Sequence, residues 1–218
     1  FALVWVLAAL AAGAQTYNTD KDISYRPDST DPYSQQKCKL DVYYPADKPG
    51  FPTVVWFHGG GLTGGRREIP EELLAGGFAV AGVEYRLSPQ TPVAGCLEDA
   101  AAAVAWVVRH IASYGGDPEL IFLAGHSAGG YLVSMLGLDK RWLAAQGLDP
   151  DRAVAAVIPY SGQAVTHFTR RAELGMPAGQ PLVDDMAPLF HVRADAPPML
   201  LLSGDRELEM LGRYEENA

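Results

Sequence analysis

Cysteine is scarce in this chain: 218 residues hold two, Cys38 and Cys96, too few for a disulfide framework and without the paired spacing of a metal site. No metal is therefore expected. Basic residues are also in the minority, 17 Lys and Arg against 26 Asp and Glu, giving a formal net charge of -9. That balance argues against nucleic acid or an anionic membrane surface as the main partner. No apolar run reaches the roughly twenty residues a transmembrane helix needs, so no integral membrane span is expected. Residues 1–14 are almost wholly apolar and close on Ala12-Gly13-Ala14 before Gln15, the pattern of a signal peptide's hydrophobic region and cleavage site. Because the chain begins at Phe1, without Met or a basic stretch, the expectation is a signal truncated at its start. The mature protein would begin near Gln15 and be secreted or periplasmic. An exported disulfide could persist there, but Cys38 falls in a strand-like segment and Cys96 near a helix start, so two free buried thiols are expected.

What is present is a core. With 48% hydrophobic and 20% charged residues, the chain suits one globular domain over residues 15–218, and it shows no repeats and no linker. Residues 37–44 alternate like an antiparallel edge strand. Continuous apolar runs at 53–57, 78–85, 120–124, 154–160 and 198–203 read as buried parallel strands. Helical stretches at 70–76, 93–113, 128–138 and 141–146 separate them. Strands alternating with helices predict an α/β fold, a mostly parallel doubly wound sheet with helices on both faces. Residues 163–195 are richer in Pro, Gly and charge and read as a cap-like insertion with two or three short helices, lining an acyl or alcohol pocket.

The most informative stretch is Gly125-His126-Ser127-Ala128-Gly129-Gly130, which follows an apolar run and opens onto a helical one. This is the strand, sharp turn and helix of a nucleophile elbow, with Ser127 exposed at the helix start. About seventy residues upstream, His58-Gly59-Gly60-Gly61 ends another strand-like run. Consecutive glycines let the backbone curl so that N–H groups converge on a developing oxyanion. Gly60 and Gly61 are the candidate donors, with the N–H of Ala128 as the third.

With Glu84-Tyr85-Arg86-Leu87-Ser88-Pro89, Asp99-Ala100-Ala101 leading to Trp106, and Tyr114-Gly115-Gly116-Asp117-Pro118, these blocks resemble the α/β-hydrolase superfamily. Within it, they are similar to hormone-sensitive-lipase-like esterases and to feruloyl and acetyl-xylan esterases. The resemblance covers about residues 38 to 210. It implies a serine esterase acting through an acyl-enzyme on short-chain or carbohydrate-linked esters, a small-molecule or polysaccharide substrate, and no cofactor. In such relatives a G-D-x-D turn carries the triad acid. Here that turn is Gly204-Asp205-Arg206-Glu207, so Glu207 and Asp205 are both candidates, and both could instead be turn and helix-cap carboxylates.

A serine hydroxyl needs a histidine base, which in this fold follows the acid in sequence. All five histidines, at 58, 110, 126, 167 and 191, precede it. The expectation is a base beyond Ala218; the alternative is His191 paired with Asp184 or Asp185. Arg86 and Asp99 are read as buried partners behind the glycine loop. Two rival functions stay open, a catalytically inactive hydrolase-fold binding protein and a serine peptidase of the same fold.

Overall fold

A computed structural model describes residues 15–177, 179–210 and 212–217. The apolar run 1–14, read as a signal segment, lies outside the described residues. Strands β1 (Tyr17–Ser24) and β2 (Lys39–Pro45) form an antiparallel pair joined through helix α1 (Pro32–Lys37), whose first turn is capped by Asp31. Next come β3 (Phe51–Phe57), β4 (Ala79–Val83), α2 (Val93–His110), β5 (Gly116–His126), α3 (Ala128–Leu138), α4 (Lys140–Ala145) and β6 (Ala156–Tyr160). The sheet order is β1-β2-β4-β3-β5-β6. β2 runs antiparallel to β4, and the pairings from β4 through β3 and β5 to β6 are parallel. Parallel neighbours require crossovers. α2 carries the chain from β4 past β3 to β5, and α3 with α4 supplies the crossover from β5 to its neighbour β6.

One sheet face carries the core. In β3 Phe51, Thr53, Val55 and Phe57 are buried while the residues between them are only half-buried, the period of two that a strand imposes. Val55, Phe57, Ala81, Val83, Ile121, Leu123 and Val157 join one apolar cluster with Leu97, Val104, Leu132 and Leu136 of α2 and α3. All eleven residues of α3 are buried, as expected for a helix apolar on every side. On the opposite face the segment before Glu71 crosses β4, where a Cβ on Gly82 would lie 2.3 Å from the Glu68 carbonyl oxygen. The helix expected over 70–76 is a single 3₁₀ turn, Glu71–Leu73, stopped by Ala75 and Gly77 at positive φ.

Three further differences from the sequence reading bear on the site. β1 had no sequence signal, because most of its residues are polar and exposed. Residues 198–203 do lie parallel to β6, with the Leu200 N–H donating to Val157 at 2.9 Å and the Leu202 N–H to Pro159 at 3.1 Å. Leu200, Leu201 and Leu202 are exposed rather than buried, since among the described residues this segment is the sheet edge. Between β6 and that edge, residues 163–195 hold helix α5 (Phe168–Glu173) and one 3₁₀ turn, Pro188–His191. α6 (Arg213–Asn217) follows the edge segment. Cys38 and Cys96 are free and buried, and burial pushes the Cys96 thiol up to about 12.

Below the site Asp99 of α2 is fully buried and grips Arg86, accepting from its Nε at 2.7 Å, its Nη2 at 2.8 Å and its backbone N–H at 3.1 Å. Arg26 adds a second cation 3.0 Å from the same carboxylate. Removing one partner of a buried pair leaves the other uncompensated, at a cost of about 3 kcal/mol. Asp99→Asn should therefore lower the urea midpoint by the equivalent of about 3 kcal/mol, and an unchanged midpoint would show that the pair contributes nothing to stability.

Candidate active site

The chain leaves β5 at His126 and reverses at Ser127, whose φ of 54° and ψ of -111° lie in a region costly for any residue with a side chain. The turn is held from both sides. The Ser127 N–H donates to the Tyr160 carbonyl at the end of β6 (2.8 Å), and the Ser127 carbonyl accepts from Tyr131 one turn into α3 (3.0 Å). The flanking glycines are sterically compulsory. A Cβ on Gly129 would lie 2.0 Å from the Phe57 carbonyl oxygen, one on Gly125 would lie 2.6 Å from the Gly129 carbonyl carbon, and one on Gly130 would meet the Gly162 Cα at 2.8 Å. Ser127 is thereby set at the positive end of α3, where developing negative charge is favoured.

The loop after β3 runs directly beside it: a Cβ on Gly59 would sit 3.4 Å from the Ser127 Cβ. The carbonyls of this loop are pinned one after another. Gly59 O is 2.7 Å from His58 Nδ1, and Gly60 O accepts from the Thr63 and Gly64 N–H groups at 3.1 and 3.0 Å. In a trans peptide the N–H points opposite to the carbonyl of the same plane. Holding those two carbonyls turns the N–H groups of Gly60 and Gly61 away from them, and among the described residues neither has an acceptor. Nor has the Ala128 N–H. Gly60 and Gly61 take φ of 115° and 65°, conformations that glycine alone adopts freely.

Behind the loop His58 is buried, stacked on Tyr85 with ring centroids 4.4 Å apart, and its Nε2 lies 3.2 Å from Glu84 Oε1. Tyr85 also donates its hydroxyl to the His58 carbonyl at 2.8 Å. Burial alone would raise the Glu84 carboxyl, but His58, the Arg67 N–H and Lys37 together hold it below its ordinary value. His58 thus belongs to the loop's support and does not face Ser127.

The turn after residues 198–203 carries both predicted acids. Asp205 and Glu207 are exposed, and neither carboxylate makes a hydrogen bond among the described residues. The carboxylate that fixes the turn is Glu209, which sequence reasoning missed: it accepts from the Gly204 N–H at 2.8 Å, from Ser203 Oγ at 3.3 Å and from the Ser161 hydroxyl. No histidine hydrogen-bonds to Ser127 among the described residues. His110 is bound to Trp106, and His167 is buried in the insertion. The alternative pairing of His191 with Asp184 or Asp185 is not formed. His191 Nε2 contacts the Asp185 backbone carbonyl (2.9 Å) and lies 3.5 Å from Asp139, which closes the C-terminus of α3. That end stands about 16 Å from Ser127, at a rise of about 1.5 Å for each helical residue.

The insertion leans on the loop. The Phe168 ring would lie 3.0 Å from a Cβ on Gly61, the Thr169 hydroxyl donates to the Gly61 carbonyl, and Glu173 accepts from the Val93 N–H at 2.8 Å at the start of α2. Between these contacts is a mostly apolar hollow of about 400 Å³, walled by Thr63, Pro89, Phe168 and Ala172.

A family model described as BD-FAE matches residues 40–209. Among curated proteins the chain is 32% identical over 178 residues to a probable carboxylic ester hydrolase, LipM, of Mycobacterium tuberculosis, covering 70% of this chain and 40% of that one. It is 30% identical to the esterase LipQ of the same organism, covering 77% of this chain and 45% of LipQ. The chain thus spans under half the length of these relatives. Among solved structures, a truncated carbohydrate esterase from gut microbiota superposes with a TM-score of 0.73 at 20% identity, over 94% of this chain and 83% of that one. Esterase 2 of Thermogutta terrifontis, phosphoramylated by tabun, gives 0.60 at 29% identity, over 75% and 64%.

His167 supplies a test of the insertion's hold. Burial, with Arg213 and Arg171 nearby, lowers it from 6.5 to about 3. Its Nδ1 accepts the Thr169 N–H at 3.2 Å, capping α5. Between the folded value and the ordinary one the unfolded chain binds the extra proton, so stability is lost as the pH is lowered through that window, by up to about 1.4 kcal/mol per pH unit. His167→Asn keeps an acceptor at the cap and cannot titrate. Urea midpoints from pH 7 to pH 4 should fall less steeply in the variant than in the wild type; equal slopes would remove His167 from the account.

Proposed function

The chain belongs to the BD-FAE family of α/β-hydrolases, and on that premise we propose that it hydrolyses carboxylic esters through an acyl-enzyme formed on Ser127. One observation carries this reading: a serine in a strained turn at a helix N-terminus, beside three N–H groups, of Gly60, Gly61 and Ala128, that have no acceptor among the described residues. Such donors, fixed before reaction, contribute most where charge develops. In this mechanism the Ser127 hydroxyl attacks the ester carbonyl carbon while an imidazole takes its proton. The carbonyl oxygen becomes an oxyanion held by the three N–H groups, and the imidazole then protonates the departing alcohol. Water, activated by the same base, releases the acid from Ser127. Asp205 or Glu207 orients the imidazole, both being uncommitted carboxylates in the turn that Glu209 anchors. The base itself is the one part of the machinery that the five histidines here do not supply.

For substrate we favour short-chain or carbohydrate-linked esters, acetyl or feruloyl groups among them. The mostly apolar hollow of about 400 Å³ between the loop and α5 falls within the usual size of small-ligand sites and supports a small acyl group, although Ser127 is not among its lining residues. The apolar run 1–14 supports an exported enzyme, secreted or periplasmic. A second reading, a hydrolase-fold protein that binds esters without cleaving them, rests on the observation that no imidazole hydrogen-bonds to Ser127 among the described residues.

Hydrolysis of p-nitrophenyl acetate by the full-length gene product separates the two readings. The wild type should turn over and be modified at Ser127 by an organophosphonate. Ser127→Ala should lose at least about a thousandfold in kcat. Unchanged hydrolysis by the alanine variant would sink the nucleophile assignment, and binding without turnover in the wild type would establish the non-catalytic reading. Of Asp205→Asn and Glu207→Gln, the substitution at the orienting acid should cost at least about a hundredfold in kcat, whereas Glu209→Gln should lower thermal stability.

A further inference from the structure

Both ring nitrogens of His58 face acceptors. Nδ1 lies 2.7 Å from the Gly59 carbonyl oxygen, and Nε2 lies 3.2 Å from Glu84 Oε1. A neutral imidazole donates from one nitrogen only, and its bare nitrogen would then lie against the lone pairs of a carbonyl or a carboxylate. A protonated Glu84 could repair the second contact, but both of its oxygens already accept: Oε1 from Lys37 Nζ at 3.3 Å and Oε2 from the Arg67 N–H at 3.2 Å. Burial raises this carboxyl, yet its three partners outweigh burial and hold it below its ordinary value. Glu84 is therefore a carboxylate, and a ring with acceptors at both nitrogens carries both protons. The surroundings agree. Tyr85 lays its ring on that of His58, 10° from parallel, and an aromatic face attracts a cation. His58 and Glu84 are both buried, where charges persist when paired. Arg67 spends its guanidinium elsewhere, on Asp22 and Asp41.

We infer that Glu84, His58 and the Gly59–Gly60 peptide form one polarised chain ending at the oxyanion hole: the carboxylate holds His58 as an imidazolium, which donates to the Gly59 carbonyl. The plane of that carbonyl carries the Gly60 N–H. The bond fixes the direction of this N–H, because carbonyl and N–H of one trans peptide point oppositely. It also strengthens it as a donor, since the bond is charge-assisted and hydrogen bonds in series polarise one another. The Gly60 N–H has no acceptor among the described residues. The sheet sets the pair in place: Phe57 of β3 pairs with Val83 of β4, so His58 and Glu84 leave adjacent strand ends side by side. Both are positioning residues, acting on the oxyanion through the Gly60 N–H. The protonation state stands on the hydrogen bonds themselves, and its consequence for rate rests on the acyl-enzyme reading.

The test compares full-length wild type and Glu84→Gln, each carrying isotope-labelled histidine. At pH 7 nitrogen NMR should find both ring nitrogens of wild-type His58 protonated, the ring being assigned by its contacts to Tyr85. Glutamine keeps the reach and removes the charge, so the ring should drop to one proton. In that variant kcat on p-nitrophenyl acetate should fall about tenfold, less than for loss of a donor itself, with KM little changed. Affinity for a trifluoromethyl ketone, which forms a tetrahedral adduct on serine, should weaken by the same factor as kcat/KM. A merely structural role for Glu84 would lower the melting temperature without changing the proton count. If the glutamine variant does not fold, His58→Asn, whose amide is an uncharged donor, is read for the same kinetic changes. A single proton on the wild-type ring, or two on the ring of the glutamine variant, would overturn the inference. So would wild-type kcat and ketone affinity in a folded, uncharged variant. A wild type that neither turns over nor is modified by the organophosphonate would overturn the function reading instead, whatever the proton count.

Discussion

The closest approach at this site is between two backbones. β3 and β5 pair side by side, with Phe57 opposite Gly125, and α3 starts within three residues of that pair. To return across the sheet, the first turn of α3 must pass over the end of β3, where the Phe57 carbonyl leaves no room for a side chain at position 129. Glycine there is thus a consequence of the crossover and not an ornament of a motif. The same contact draws the loop after Phe57 against Ser127. The turn at Ser127 and the glycine loop, separate in sequence, are two sides of one packing contact. Gly130 against Gly162 extends it to the end of β6, so three strand ends converge on a point built without side chains.

Around that point polar groups take over from packing. Three consecutive residues after β4 serve two partners: Glu84 contacts the His58 ring, Tyr85 stacks on that ring and donates to the His58 carbonyl, and Arg86 enters the buried pair with Asp99. A ring so placed holds the Gly59 carbonyl from the side away from Ser127. Orientation of the Gly60 and Gly61 N–H groups therefore depends on hydrogen bonds to the far edges of the same peptides.

Much of this was legible in the sequence, for reasons that follow from burial. The runs at 53–57 and 120–124 are strands whose one face is fully buried and whose other is mostly half-covered, so apolar residues occupy both, and the two glycine motifs mark places where only a bare backbone fits. The elements that failed to announce themselves are those whose stability comes from elsewhere. β1 is mostly polar and survives by pairing with β2, and the stretch 70–76 offers no apolar stripe to bury, so it forms one turn. Glu209 lies outside the G-D-x-E turn, where no motif marks it. The carboxylate that anchors a turn can reach back from five residues on, as Glu209 does to Gly204, and no spacing rule identifies it.

The parts of the site differ in how firmly the core commits them. Ala128 is fully buried at the head of a buried helix, and Ser127 is tied to both β6 and α3, so these two positions are set by the sheet itself. Gly60 is exposed and Gly61 half-exposed, and the plane after Gly61 is fixed from the insertion. The helix that walls the hollow beside the loop is the helix that fixes that plane. A change in α5 that reshapes the hollow therefore also reaches the carbonyl edge of Gly61, while the Gly61 N–H, in the preceding plane, stays set by the Thr63 and Gly64 N–H groups on the Gly60 carbonyl.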